Sequence, residues 1–586
     1  MVMFKLFTMF SGREWLLLGI SAGFIVLGVW MDLTVPEFLR EITLLVTVPG
    51  YGEGVGEVWV QGLWMMLFAV GSMITALIVS WIAAIVSSGH SARIRKAIFE
   101  KTSELSLAEM KGFSVPSLIT RSTNDVTQVR MFAAFGMQVL IRAPIMAIWV
   151  ILKIVDVSWE LSLVTIVAVG SLAVVLSFLV VIVLPRFNRI QKLTDHLNQV
   201  SRENLTGLRV VRAYNAEDFE QEKFEKSNYK LARNNLVVNR AMGIFWPFMA
   251  LLLSGLTVAI YWVGSWIIST GRATDPEKFF GDMMVFSQYS IQIIFSFMML
   301  IFVFVMLPRT LVSGRRIMEV LRTQPTIVAR GQSDILDGDI ECKNVSFQYP
   351  DAEKPVIENV NIKIKKGSTV AFIGGTGSGK STLVNLLPRI YDATQGDITI
   401  GGTSTKDVSL DRLNDTVGYI PQTATLFGGS VRYNVTFGKE EVITDDEVWQ
   451  ALEVAQAKDF VSKLESGLDH DVSQGGKNLS GGQKQRLAIA RVIARQPKIY
   501  IFDDTFSALD YKTDRNLRSA LKNHTKDATV LIVAQRIGTI KDADVIYVLD
   551  NGRVVAEGAH SELLKTSEIY KEIALSQLSA QELEGK

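Results

Sequence analysis

Residues 374–382 read GGTGSGKST, and this stretch decides how the second half of the chain folds. It fits G-x-x-x-x-G-K-[ST], a loop whose backbone amides cradle phosphate groups. Such a loop must wrap closely, which Gly375, Gly377 and Gly379 permit, while Gly374, Thr376, Ser378 and Thr382 supply the remaining backbone of the cradle. Lys380 adds a point charge for the β- and γ-phosphates, and Ser381 offers a hydroxyl to Mg²⁺. The apolar run 368–374 ahead of the loop reads as a strand. The residues from Thr382 onward have helical spacing, so a positive helix N-terminus faces the phosphates.

A chain of 586 residues is too long for one core, so two or more domains are expected. The formal net charge of +1 gives no electrostatic case for nucleic acid. A mean hydropathy of +0.26 is high for a soluble protein, and the excess lies in the first half. The single cysteine, Cys342, excludes an intrachain disulfide and a cysteine metal cluster, and reads as a small buried residue. The first ten residues carry no small-residue cleavage site, and residues 1–14 read either as an entry segment along the inner membrane surface or as a disordered lead-in.

Six apolar stretches are long enough to cross a bilayer: 15–35, 58–88, 129–157, 161–184, 244–270 and 282–307. The connections between the second and third spans and between the fourth and fifth are rich in Lys and Arg, among them Arg93, Arg95, Lys96, Arg186, Arg189 and Lys192. That bias predicts a cytoplasmic side carrying these loops and both termini. The loops are helical in pattern, so the spans should continue well beyond the membrane. Asp32 is a charge inside the first span, with Pro36 expected to loosen the helix beside it; a structural ion pair and a substrate or gating role are its two readings. Phe295 and Met299 belong to a Phe/Met-rich sixth span that suits an adaptable apolar substrate pocket, or else packing and lipid contact.

After residue 308 the chain turns polar, and from about Ile340 short β-runs alternate with helical stretches, which implies an α/β domain. Its motifs follow in order. Tyr349 lies ahead of the phosphate loop, where it could stack on an adenine ring; Gln422 ends Gly-Tyr-Ile-Pro-Gln and could reach Mg²⁺ and an attacking water. Asn-Leu-Ser-Gly-Gly-Gln at 478–483 opens a further helix through Ser480, Gly481, Gly482 and Gln483. A buried apolar strand ends in Asp503 and Asp504, the first placed to hold Mg²⁺. Ser-Ala-Leu-Asp at 507–510 follows, and strand 529–533 delivers Ala534, Gln535 and Arg536.

With these motifs in this order, the chain resembles an ATP-binding cassette (ABC) exporter half-transporter of the multidrug type along essentially its whole length. Walker A matches 374–382, the Q-loop glutamine Gln422, LSGGQ 479–483, the Walker B aspartate Asp503 and the D-loop 507–510. The resemblance implies a multidomain membrane protein: an all-α six-helix transmembrane domain with long cytoplasmic helical extensions, followed by an α/β P-loop nucleotide-binding domain. The expected boundaries are 15–323 for the transmembrane domain, with coupling helices near 113–121 and 207–219, then a linker at 324–337 and the ATP-binding domain at 338–586. ATP and Mg²⁺ are the implied cofactors, and the lipid bilayer, a small amphipathic substrate and a second half-transporter the implied partners. LSGGQ of one subunit faces the P-loop of the other in this family, so one chain cannot complete a site. Short outer loops fit a bacterial plasma membrane.

Two positions depart from the family pattern. The catalytic glutamate after the Walker B aspartate is replaced by Asp504, one methylene shorter, and the switch histidine by Gln535. A base must be within hydrogen-bond reach, and a shift of about 1 Å costs roughly 10²-fold in rate. Glutamine donates to a phosphate oxygen but carries no positive charge and relays no proton. The expectation is a site that holds ATP and turns it over poorly, in a heterodimer whose partner carries the missing residues and is completed by this chain's LSGGQ. The alternatives are a homodimeric exporter, a flippase of lipid or lipid-linked substrates on the same fold, and an ATP-binding sensor module that gates a partner without pumping.

Overall fold

The computed structural model describes residues 8–48, 52, 55–155, 157–328 and 336–577. Part of the expected entry segment (1–7) and part of the expected linker (329–335) lie outside them. The chain divides into two units, residues 1–100 with 116–322, and residues 101–115 with 323–586.

The first unit is helical. Its spans are α1 (Gly12–Thr47), α2 (Val55–Glu104), α4 (Val115–Ile154), α5 (Trp159–Thr206), α7 (Glu217–Ser269) and α8 (Pro276–Arg322). Two short helices interrupt the run of spans in sequence: α6 (Leu208–Ala213), in this unit, and α3 (Leu107–Gly112), which belongs to the second unit. At 53 residues α7 is about 80 Å long, far more than the ~30 Å of a hydrocarbon core. Each apolar window buries less than a third of its residues inside the chain. Tryptophans such as Trp59, Trp81 and Trp246 point outward, as a lipid solvent requires.

Start signals are local. Ser11 accepts from the Glu14 amide while the Glu14 carboxylate accepts from the Ser11 amide, a capping box that opens α1. A second box, Ser106 with Glu109, starts α3, and Phe113 ends it. The short helix of this loop is therefore 107–112. It lies before the expected 113–121, whose residues 115–120 already form the first turns of α4. Two π-helical turns interrupt α4, at Arg121–Asp125 and Phe132–Gly136. The first turns Arg121 and Asp125 inward, where Asp125 accepts from Ser313 at 2.8 Å and Arg121 pairs with Glu319 at 2.8 Å, tying α4 to α8.

The spans pack around Val29, Leu33, Val150, Ile260, Met283, Phe286 and Ile294. Small groups let the helices approach: a Cβ on Gly264 would fall 2.3 Å from Met283. Tyr289 donates to the Leu33 carbonyl at 2.6 Å, and Thr165 and Ser290 share a hydrogen bond of 2.8 Å. Pro36 does not loosen α1, which runs unbroken through it to Thr47. Proline removes one amide and frees one carbonyl, that of Asp32, while neighbouring turns and helices hold the axis.

Asp32 is paired. Its carboxylate accepts from Arg142 at 2.6 Å and from the Ser72 hydroxyl, joining three spans. Lys153 bonds Glu37 at 2.5 Å, and Arg40 lies between Glu41 and Asp282. Glu37, Arg40, Glu41, Lys153 and Asp282 line a cavity of about 480 Å³ between α1, α2, α4 and α8.

The second unit is α/β. A four-stranded sheet runs in the order β2 (Ile357–Ile364), β1 (Ile340–Phe347), β4 (Gln395–Ile400), β5 (Thr403–Ser404). A six-stranded sheet runs β12 (Arg553–Gly558), β11 (Val545–Asp550), β3 (Thr369–Gly374), β10 (Thr529–Val533), β9 (Ile499–Asp503), β6 (Val417–Ile420). A small pair, β7 (Gly429–Ser430) and β8 (Asp471–Val472), completes the set. β9 and β10 are buried at every residue, as parallel strands covered on both faces must be. Cys342 is buried in this unit, with burial pushing its thiol up to about 12.

Because a charge in an apolar bundle is costly only while unpaired, Asp32→Asn and Arg142→Gln should each lower the thermal midpoint of the detergent-purified protein. The double substitution should cost less than the two singles summed, with a coupling on the order of 1 kcal/mol. Strict additivity contradicts the pair.

Candidate nucleotide site

Parallel pairing assembles the site. β10 pairs with β3 and β9, with Val533 opposite Phe372 on one side and Asp503 on the other. The carboxyl ends of the three strands therefore share one edge, where ligands bind in open α/β sheets. The phosphate loop leaves β3 there, Asp503 and Asp504 end β9, and Gln535 follows β10.

The loop closes on itself. Gly379 has φ +96°, and a Cβ there would lie 2.6 Å from Ile357 Cδ1 and 2.9 Å from the Val356 carbonyl, so only glycine fits. Lys380 is buried, and its Nζ donates to the carbonyls of Gly374 at 3.0 Å and Gly375 at 2.8 Å and to Ser378 Oγ at 3.2 Å. Burial pulls the Lys380 ammonium below the usual lysine range, against the opposing pull of Asp504 and Asp503.

Ser381 Oγ donates to Asp503 Oδ1 at 2.7 Å, and Tyr419 donates to Asp503 Oδ2 at 3.1 Å. A hydroxyl and one carboxylate are hard oxygen donors of the kind Mg²⁺ takes when phosphates and water complete its octahedron, so the residues fit that ion. No group of three or more His, Cys, Asp or Glu that could cage a metal occurs among the described residues.

Asp504 sits at φ +46°, its amide donating to the Val533 carbonyl at 2.9 Å. Its Oδ2 accepts two amide donors, Gln422 Nε2 at 3.2 Å and Gln535 Nε2 at 3.3 Å. Burial, reinforced by the neighbouring Asp503, pushes the Asp504 carboxyl above the ordinary aspartate range, with Gln422, Lys380 and Arg536 pulling the other way. Three of the residues singled out in the sequence thus meet at one oxygen atom.

Tyr349 packs edge-on against Phe347 and Tyr391, with centroids 4.8 and 5.3 Å away, and its hydroxyl shares a hydrogen bond of 3.1 Å with Thr382 Oγ1. Lys111 of α3 lies with its Nζ 4.5 Å from the Tyr349 ring centroid, a cation–π contact. Ser480 caps the helix Gly481–Arg495, and the Gln483 side chain turns back to accept from the Ser480 amide at 2.8 Å. Gly482 packs against Ala508 and Leu509 of the 507–510 turn. Among the described residues no hydrogen bond joins Ser480, Gly481, Gly482 or Gln483 to the phosphate loop of the same chain; Ser480 and Gly481 are exposed.

In the membrane half, Phe295 and Met299 stand one turn apart on α8, both about half exposed and turned away from this chain's core, which Ile293 and Ile294 enter. Sequence reading missed Tyr419 and Lys111. Tyr419 lay inside the quoted motif ending in Gln422, whereas nothing local marks Lys111, whose partner is more than two hundred residues away.

A phosphate loop whose serine shares a carboxylate with a neighbouring strand is built to hold a nucleoside triphosphate and its metal. Carried on one chain with six apolar helices, it defines a membrane transporter driven by nucleotide. The family model described as ABC transporter transmembrane region matches residues 18–307, and the one described as ABC transporter matches 357–507. An uncharacterized ABC transporter ATP-binding protein of Mycobacterium tuberculosis is 37% identical over 496 residues, covering 84% of each chain. A multidrug resistance ABC transporter ATP-binding and permease protein of Lactococcus lactis is 28% identical over 568 residues, covering 96% of this chain and 93% of that one. The solved structure of a bacterial Atm1-family ABC exporter with ATP bound superposes with a TM-score of 0.78 at 23% identity, over 96% of this chain and 98% of that one. The chain belongs to the ABC transporter family and is a half-transporter with the exporter fold, a multi-pass membrane protein whose cassette domain is an ATPase.

Folded Asp504 binds its proton more tightly than the unfolded chain, so its stabilising contribution is present below the unfolded value of about 4 and is lost as pH rises through the raised folded value. Asp504→Asn, which keeps an acceptor for both amides, should therefore raise the thermal midpoint of the nucleotide-free protein near pH 8. The gain should shrink as pH falls into the ordinary aspartate range. A lowered midpoint near pH 8 contradicts this.

Proposed function

We propose that this chain is the degenerate-site subunit of a heterodimeric exporter that moves amphipathic or apolar compounds out of the cell. The observation that carries the reading is the pair of amide donors on Asp504 Oδ2. A general base there must take a proton from water and pass it on. Asp504 is one methylene short of the family's glutamate, and the two groups that hold it, Gln422 and Gln535, accept no proton at nitrogen. Such a site binds nucleotide and positions it while hydrolysing slowly.

The binding parts are intact. Backbone amides of Gly374, Gly375, Thr376, Gly377, Ser378, Gly379 and Lys380, with Ser381 and Thr382, would hold the phosphates, and Tyr349 the adenine. Ser381, Asp503 and the Gln422 amide oxygen would hold Mg²⁺, which would offset the charge of the phosphates when bound. The turn Ser480, Gly481, Gly482, Gln483, exposed at its first two residues, would complete the partner's site, which carries the glutamate and histidine absent here. In this reading the cassette and both termini are cytoplasmic in a plasma membrane, as the Lys/Arg bias supports, and α3 and α6 are the coupling helices. The transmembrane domain spans 15–323 and the nucleotide-binding domain 338–586. The multidrug class draws support from the Lactococcus lactis relative, a multidrug resistance transporter by name, and from the half-exposed Phe295 and Met299. Asp32 is assigned to the structural ion pair rather than to substrate, because Arg142 and Ser72 both bond its carboxylate.

The purified chain alone should bind ATP and hydrolyse it slowly, and co-purification with its partner should raise the rate. Asp504→Glu combined with Gln535→His should raise the rate of the lone chain by about tenfold or more, since it restores both reach and charge. A lone chain that already turns over as fast as this double variant is a homodimeric exporter instead.

A further inference from the structure

The segment that carries Gln535 is held from outside the site. After β10, Ala534 donates to the Phe372 carbonyl at 3.2 Å, and Ile537 is buried at the start of the short helix Ile537–Ile540. Between these two anchors, residues 535 and 536 are exposed. Across them lies Gln577, the last described residue of the chain. Its Nε2 donates to the Gln535 carbonyl at 2.6 Å, and its Oε1 accepts from the Ile537 amide at 2.9 Å. One side-chain amide thus closes both ends of a three-residue segment, as a neighbouring strand would.

The support behind Gln577 is rigid. The helix Glu568–Leu575 buries Tyr570 and Ala574 completely in the cassette core. Ser567 caps it by accepting from the Tyr570 amide at 3.3 Å, and Tyr570 Oη meets His560 Nδ1 at 2.7 Å. Beyond the helix the Gln577 amide still donates to the Ala574 carbonyl at 3.1 Å. A core-anchored helix therefore presents one amide to the backbone of the residue whose side chain reaches Asp504 Oδ2.

We propose that Gln577 is a positioning residue for the nucleotide site: it fixes the backbone at Gln535 so that the Gln535 side chain meets the γ-phosphate end of a bound triphosphate. This rests on the assignment of Gln535 to the switch position. Since ADP lacks the γ-phosphate, the clamp bears on ATP and not on ADP. A glutamine exposed at the end of a helix can be exchanged without opening the core, so its effect is selective rather than a general loss of fold.

The test uses the full-length chain in nanodiscs with Mg²⁺, titrated with the non-hydrolysable analogue adenylyl imidodiphosphate and, separately, with ADP. Gln577→Ala should weaken the analogue by about threefold to tenfold, the range of one or two hydrogen bonds, and leave ADP binding and the thermal midpoint unchanged. Gln577→Glu keeps the acceptor for Ile537 but loses the donor to Gln535, and should weaken the analogue as well. Gln535→Ala serves as reference. If Gln535→Ala lowers discrimination and Gln577→Ala does not, the clamp is overturned while the switch assignment stands. If neither substitution changes the ratio, the switch assignment falls and takes the clamp with it. Equal weakening of both nucleotides by Gln577→Ala marks a general structural effect and also overturns the proposal.

Discussion

The nucleotide half depends on the parallel pairing of β10 with β3 and β9. Parallel strands align their carboxyl ends, so chain segments far apart in sequence leave the sheet at one edge. The phosphate loop, the paired carboxylates and Gln535 meet there because of that register. A one-residue slip of β9 would turn every one of its side chains to the other face and separate Ser381 from Asp503, which stand 2.7 Å apart.

The membrane half solves a different problem, because its solvent gives no help to a charge. Asp32, Glu37, Arg40, Glu41, Arg142, Lys153 and Asp282 all stand on apolar spans, and each has a partner of opposite sign. Apart from the adjacent Arg40 and Glu41, the partners come from different helices, α1 with α4 or α8. The pairs therefore fix which helices are neighbours as well as neutralising one another. Where the helices carry no charge, close contacts such as Gly264 against Met283 and hydroxyl bonds such as Thr165 with Ser290 do that work.

Between these halves the chain reuses small polar devices. Capping boxes at Ser11, Ser106 and Ser480 start helices at places the surrounding apolar pattern leaves open. The box at Ser106 set the position of α3 six residues ahead of the stretch expected from the resemblance, and so brought Lys111 to the Tyr349 ring. The box at Ser480 turns the Gln483 side chain back to its own helix end.

The sequence by itself determined six apolar spans and the α/β cassette, and marked 374–382, Gln422, 479–483 and Asp503 as the candidates for phosphate, signature and metal roles. Length with apolarity, strand–glycine loop–helix order and capping residues are local, and local patterns survive in a linear string. It also showed that Asp504 and Gln535 differ from the family pattern. Only the tertiary structure decided that Gln422 and Gln535 converge on one oxygen of Asp504, that Tyr419 holds Asp503, that Asp32 pairs with Arg142, and that α1 continues through Pro36. Each of these joins segments through space, or depends on neighbours that make good a lost backbone bond. Such contacts are fixed by sheet register and helix packing, which no stretch of sequence carries alone.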